Sequence, residues 1–149
     1  MASYGQFILR SDCQMLRINI AFDEELGPGG LDPLGKLIIS DGETEILIDT
    51  TYLDSWLTGL IDGLQQLRTK THVIVESEEP TPIEMDIATD GRLIISHNGK
   101  KVVAGGLKEL EFALRIAVNR FLSDLKDSPE ASQNRLIDPI RRFWATTQN

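Results

Sequence analysis

The side chains best supplied for chemistry in this chain are carboxylates. They gather in two stretches, DGETEILID at 41–49 and ESEEPTPIEMD at 76–86. Within the second, Glu84 and Asp86 alternate with Ile83, Met85 and Ile87, so a strand would place both acids on one sheet face about 7 Å apart. Such a pair suits a metal ion or acid–base work. An open sheet face, however, desolvates a carboxylate little and leaves its pKa untuned. DGETEILID lacks the D-x-D-x-D-G spacing and the distant glutamate of a calcium loop. GLDPLGKL at 30–37 carries the G-x-x-x-x-G-K of a phosphate loop, but Leu37 stands where a magnesium-binding hydroxyl is needed, and a strand follows instead of a helix. His72 and His97 lack metal-ligand spacing and have no cysteine cluster beside them. No G-x-S-x-G elbow occurs. Cys13 has no neighbour in sequence that would depress its pKa. The reading is a protein without enzymatic activity, metal or cofactor.

Charge points to binding. The 149 residues carry a net charge of −8, distributed unevenly. Residues 1–91 hold 17 Asp/Glu against 5 Lys/Arg, and residues 92–149 hold 6 against 10. An acidic chain is repelled by nucleic acid and by anionic membranes, whereas a basic protein is drawn to it. No apolar run approaches the ~20 residues of a membrane span. The single cysteine excludes an intrachain disulfide, and MASYGQFILRSDCQ lacks the pattern of a signal peptide. These features predict a reduced, cytoplasmic protein.

The elements that would position the acids are legible from periodicity. MLRINIAF (15–22) alternates as a strand. Residues 23–35, rich in glycine and proline, read as a loop. KLIIS (36–40) and TEILID (44–49) flank the turn Asp41-Gly42. Leu53, Trp56, Leu57, Leu60, Ile61, Leu64 and Leu67 form a helical stripe, with Thr51 as the expected N-cap and Asp54 in the first turn. On that helix Ser55, Gly59 and Gly63 make a strip of small residues one turn apart; they read as glycine tolerated in a helix held by tertiary packing, the alternative being close approach of a backbone or a ligand. Strands HVIVE (72–76), IEMDIAT (83–89), RLIIS (92–96) and KKVVA (100–104) follow, with hairpin signals at Asp90-Gly91 and Asn98-Gly99. A second helix spans 107–125. Ser128-Pro129 is a start signal for a third, which Pro139 is expected to end or kink.

GKLIIS (35–40) and GRLIIS (91–96) echo each other, as do RINIAF (17–22) and HVIVES (72–77) at a similar offset. The chain thus reads as one domain, 1–149, with two similar strands-then-helix halves at about 14–70 and 71–126 and a tail at 127–149. The fold class is α+β. A largely antiparallel sheet of six to seven strands carries two long helices on one face and a C-terminal helical tail.

Several strands carry aliphatic residues on both faces: Leu37, Ile38 and Ile39; Ile46, Leu47 and Ile48; Leu93, Ile94 and Ile95. Something should therefore cover part of the second sheet face. The tail with Phe143 and Trp144 could do so within the chain, or could join two copies as a homodimer. Acids around an apolar patch describe a protein-binding surface. The candidate partner-binding residues are Glu76, Glu78, Glu79, Glu84 and Asp86, with Asp41, Glu43 and Glu45 as a second set.

In size, acidity, strands-then-helix plan and the acid segments DGETEILID and ESEEPTPIEMD, the chain resembles the immunity proteins of bacterial toxin systems, both contact-dependent and polymorphic. The resemblance implies a non-enzymatic protein that neutralises a basic partner, a nuclease-type toxin domain. The alternatives are a regulatory module binding a small ligand beside Ser55, Gly59 and Gly63, and a carboxylate-based enzyme.

Overall fold

Among the described residues of the computed structural model, alternating apolar and polar side chains produce seven strands, and stripes at helical spacing produce three helices. The structure describes residues 15–23, 34–125 and 137–147. In chain order the elements are β1 (Arg17–Phe22), β2 (Leu34–Ser40), β3 (Glu45–Tyr52), α1 (Leu53–Gln66), β4 (His72–Val75), β5 (Ile83–Ile87), β6 (Leu93–His97), β7 (Lys100–Ala104), α2 (Leu107–Leu125) and α3 (Asp138–Thr147). The α+β class is as expected. Cys13, the Ser128-Pro129 helix start and most of the 23–35 loop lie outside the described residues.

The strands form two antiparallel sheets, β1-β2-β3 and β4-β5-β6-β7, where the sequence predicted one. The sheets adjoin at β3 and β7, but no backbone ladder links them there. A side chain substitutes for it. Asp41, in the β2–β3 turn, accepts a hydrogen bond from the Val103 N–H of β7 at 3.0 Å. Periodicity reports that a strand is half-buried; it does not report whether its neighbour is a ladder or a carboxylate. The β6–β7 hairpin has the two-residue Asn98-Gly99 turn, with φ of 50° and 83°. That handedness matches the twist of the flanking strands.

Each strand turns one set of side chains inward. Leu37, Ile39, Ile83, Met85, Leu93, Ile95 and Val102 are fully buried, and a single core holds them against the helices. The helices cross over. α1, from the first half, lies against β4 and reaches β2; α2, from the second half, lies against β1. Glu109 fixes the latter contact: its carboxylate accepts the backbone N–H of Leu16 at 3.1 Å and of Gly105 at 3.3 Å. GKLIIS and GRLIIS fall at the equivalent strands β2 and β6, each followed by a strand at the seam and then a helix. RINIAF and HVIV do not correspond in this way, because β5 intervenes between β4 and β6.

Other local expectations are corrected. Leu34 and Gly35 belong to β2, and β3 runs on to Tyr52 instead of stopping at Asp49. Tyr52, not Thr51, occupies the α1 N-cap, and it makes no side-chain cap bond. Thr51 is wholly buried, its hydroxyl taken by tertiary partners. Pro139 does not end a helix. It sits in the first turn of α3, where the N–H it lacks would have had no intrahelical partner. The described part of the tail does not cover the second sheet face either: α3 packs on α1 and α2, on the helix side. Ile137, Ile140 and Phe143 are buried there, and the Arg115 guanidinium stands 5.8 Å over the Trp144 ring.

Candidate functional site

With its apolar stripe turned to the sheets, α1 leaves a flank of Ser55, Thr58, Gly59, Asp62 and Gln65 beside a groove of about 1140 Å³. One wall is the segment after β4, which contributes Glu76 and Glu78. The opposite wall is α3, with Pro139, Arg142, Phe143 and Thr146, joined by Glu111 of α2. Tyr52, Ile61 and Leu64 add apolar surface. The groove follows α1 from Tyr52 to Arg68, roughly 20 Å for a helix of this length.

The lining is anionic. Asp54, Asp62, Glu76, Glu78 and Glu111 face it, against only Arg68 and Arg142. Arg68 is already engaged, pairing with Glu111 at 3.2 Å. Glu76 and Glu78 make no hydrogen bond or ion pair among the described residues, so their charge is open to a ligand.

The wall that carries these acids is anchored at three points. Ser77 donates its hydroxyl hydrogen to Ser55 of α1 at 3.0 Å. Glu79 turns inward and accepts the Thr51 hydroxyl at 3.1 Å, while Thr51 accepts the Trp56 indole N–H at 2.8 Å. His97 of β6 bonds the Thr81 backbone, and its ring meets Trp56 edge-on at 6.4 Å. Burial lowers the His97 pKa; the Thr81 bond and the Glu79 charge oppose this without cancelling it. The two prolines add stiffness.

The eight sequence-derived candidates therefore do not share one surface. Glu76 and Glu78 line the groove. Glu79 is half-buried and committed to Thr51. Glu84 and Asp86 lie on the outer sheet face, away from the helices, and Asp86 pairs with His72 at 2.6 Å. Asp41 is buried and satisfies backbone donors: besides Val103, it accepts the N–H of Glu43 and of Thr44, each at 2.8 Å. Burial pushes its carboxyl pKa up, but these bonds outweigh it and hold the pKa below the ordinary value. Glu43 and Glu45 are exposed near that turn. Sequence reasoning missed Asp62, Glu111, Arg142 and Phe143, which come from three helices that only the tertiary fold brings together. Asp54 was visible as a first-turn acid, but nothing local marks it as a groove residue.

The small-residue strip divides between two uses. Gly63 and Gly59 allow α1 to lie close on the second sheet. A Cβ at Gly63 would come within 2.5 Å of Met85 Cε, and one at Gly59 within 2.7 Å of Val75 Cγ1. Ser55 and Gly59 also border the groove. Among the described residues no three His, Cys, Asp or Glu side chains converge as a metal site, and no helix is long and apolar enough to cross a membrane. No protein-family model, curated protein or solved structure matches the chain.

Proposed function

We propose that this chain is a non-enzymatic binding protein that seats a basic protein partner in the α1 groove and neutralises it, as an immunity protein blocks a nuclease-type toxin domain. The observation that carries the reading is the unpaired Glu76 and Glu78 on an anchored wall, facing apolar side chains across an anionic groove. A wall already held in place costs less order on binding. Its acids would accelerate encounter with a cationic surface, and Tyr52 and Pro139, half-buried in the lining, would take an apolar anchor. Charge complementarity of this kind raises the association rate more than it deepens the complex.

A small-ligand module is the second reading, favoured by the position of Ser55 and Gly59 on the same groove. Shape argues for the first. The groove is open along one helix, as a protein segment requires, whereas a small-molecule site buries most of its ligand.

The test is to search the neighbouring genes for a basic toxin domain and to co-express any such domain with this chain. Protection from that domain's toxicity, and its loss on Glu76→Lys/Glu78→Lys, is the expected result. Full protection by the double variant would remove the groove from the account, and the absence of any adjacent toxin gene would remove the toxin.

A further inference from the structure

β4 is the outer strand of the four-stranded sheet and pairs with β5 alone. The pairing register shows which backbone groups that leaves over. The Ile87 N–H donates to the Thr71 carbonyl at 2.8 Å, one step beyond the opposed pair His72 and Asp86. In an antiparallel ladder, hydrogen-bonded pairs alternate with non-bonded ones. Thr71, Val73 and Val75 therefore turn their N–H and C=O groups toward β5, and His72 and Ile74 turn theirs outward. Among the described residues nothing pairs with these outward groups. No proline, lysine or bulge blunts the edge, and the Ile74 side chain is 49% exposed beside it. The edge also runs straight into the groove, since Glu76 of the acid wall follows Val75, the last residue of β4.

We infer that the basic partner binds by adding an extended segment antiparallel to the free edge of β4, with lysine or arginine at alternate positions and apolar residues between them. Such entry presupposes the basic partner proposed for the groove, and it specifies the shape in which that partner arrives. An added strand takes up the outward N–H and C=O groups of His72 and Ile74 and sends successive side chains to opposite faces. Those opposite Val73 and Val75 fall on the helix side, where Asp62, Glu76 and Glu78 line the groove, so the cations belong there. Those opposite His72 and Ile74 fall on the outer face, where an apolar residue covers the exposed Ile74. The antiparallel arrangement continues the sheet as built and is the more stable one per residue. β4 has only four residues, so backbone pairing holds any extended segment weakly, and the acids select a basic one. The other outer edge, β1, lacks that selection, because it carries Arg17, which repels a basic segment.

The probe is a short peptide of alternating lysine and valine with blocked ends, titrated into the isotope-labelled full chain. As it binds, the amide hydrogens of His72 and Ile74 should become protected from exchange, and Glu76→Lys/Glu78→Lys should weaken binding by about tenfold or more. In the antiparallel register the valines lie opposite His72 and Ile74 and exchange backbone bonds with them. N-methylation of the valines should therefore abolish binding, whereas N-methylation of the lysines, whose N–H groups point away from β4, should be tolerated. Ile74→Pro removes an outward donor without breaking a bond to β5. It should weaken binding by about tenfold, with the fold retained by circular dichroism. Binding that depends on Glu76 and Glu78, yet tolerates valine N-methylation and leaves the His72 and Ile74 amides exchanging as before, overturns strand addition and leaves the groove reading standing. Absence of binding to the wild-type chain also overturns strand addition, and binding indifferent to the Glu76 and Glu78 reversal overturns the groove reading with it.

Discussion

Asp41 shows how far a residue's identity is from its role. The sequence offers it as a rim acid in DGETEILID, yet its carboxylate serves the N–H groups of Glu43, Thr44 and Val103 and closes the seam between the sheets. Asp41→Ala leaves these donors without their partner and should cost about 2 kcal/mol, measured by urea denaturation. Because the folded pKa lies below the ordinary value, the unfolded state binds the proton first as the pH falls. The contribution is therefore complete above about pH 5 and is lost as the pH drops through the usual 3.8 and on through the lower folded value. The gap between wild type and Asp41→Asn should narrow over that window. His97 works on a different range. Its lowered pKa means the unfolded chain takes up a proton near 6.5 while the folded chain resists. Stability should decline as the pH falls below 6.5, and His97→Gln should flatten that slope in thermal melts. Neither role was visible in sequence, because both depend on groups dozens of residues away: Val103 for Asp41, and Trp56 and Glu79 for His97.

At the scale of elements, the seven strands and the first two helices were legible because each obeys a single period. Ile83, Met85 and Ile87 against Glu84 and Asp86 are enough to define β5 and its faces. What periodicity misjudged were ends and neighbours. Pro139 was read as a stop when it is a first-turn residue, and Thr51 as a cap when it is the polar centre of a buried contact with Trp56 and Glu79. The glycine strip on α1 reads in sequence as glycine tolerated by packing, whereas the structure uses Gly59 and Gly63 for close approach to the second sheet. Replacing either glycine by alanine would gain about 1 kcal/mol of helix propensity and would force the new Cβ into the second sheet. At Gly59 the obstacle is Val75 Cγ1 at 2.7 Å, on a β-branched side chain with little rotamer freedom. Overpacking there, at ~1–3 kcal/mol, outweighs the gain, so Gly59→Ala should be net destabilising. At Gly63 the nearest atom is the flexible end of Met85, which can swing aside more cheaply. Gly63→Ala should therefore cost less than Gly59→Ala in the same denaturation experiment.

For the whole molecule, the fold distributes the uneven charge of the sequence over two surfaces. On the helix side, acids from α1, α2 and the segment after β4 converge on one groove. On the sheet side, Arg17, Lys36 and Lys101 are interspersed with Glu45, Asp49, Glu84 and Asp86. ESEEPTPIEMD spans both, since Glu76 and Glu78 face the groove while Glu84 and Asp86 face outward from β5. One acid-rich segment had suggested one binding surface, and only the path of the chain separates them. The central claim is that the groove acids receive a basic partner. It is tested most directly by association rates, measured over a series of salt concentrations, between this chain and a basic toxin domain that it protects against. Glu76→Lys/Glu78→Lys should slow association by about tenfold or more at low salt and flatten its salt dependence, while Glu84→Lys/Asp86→Lys should leave the rate near that of wild type. Unchanged rates and salt dependence in the groove variant, or a larger effect from the sheet-face variant, would contradict the account.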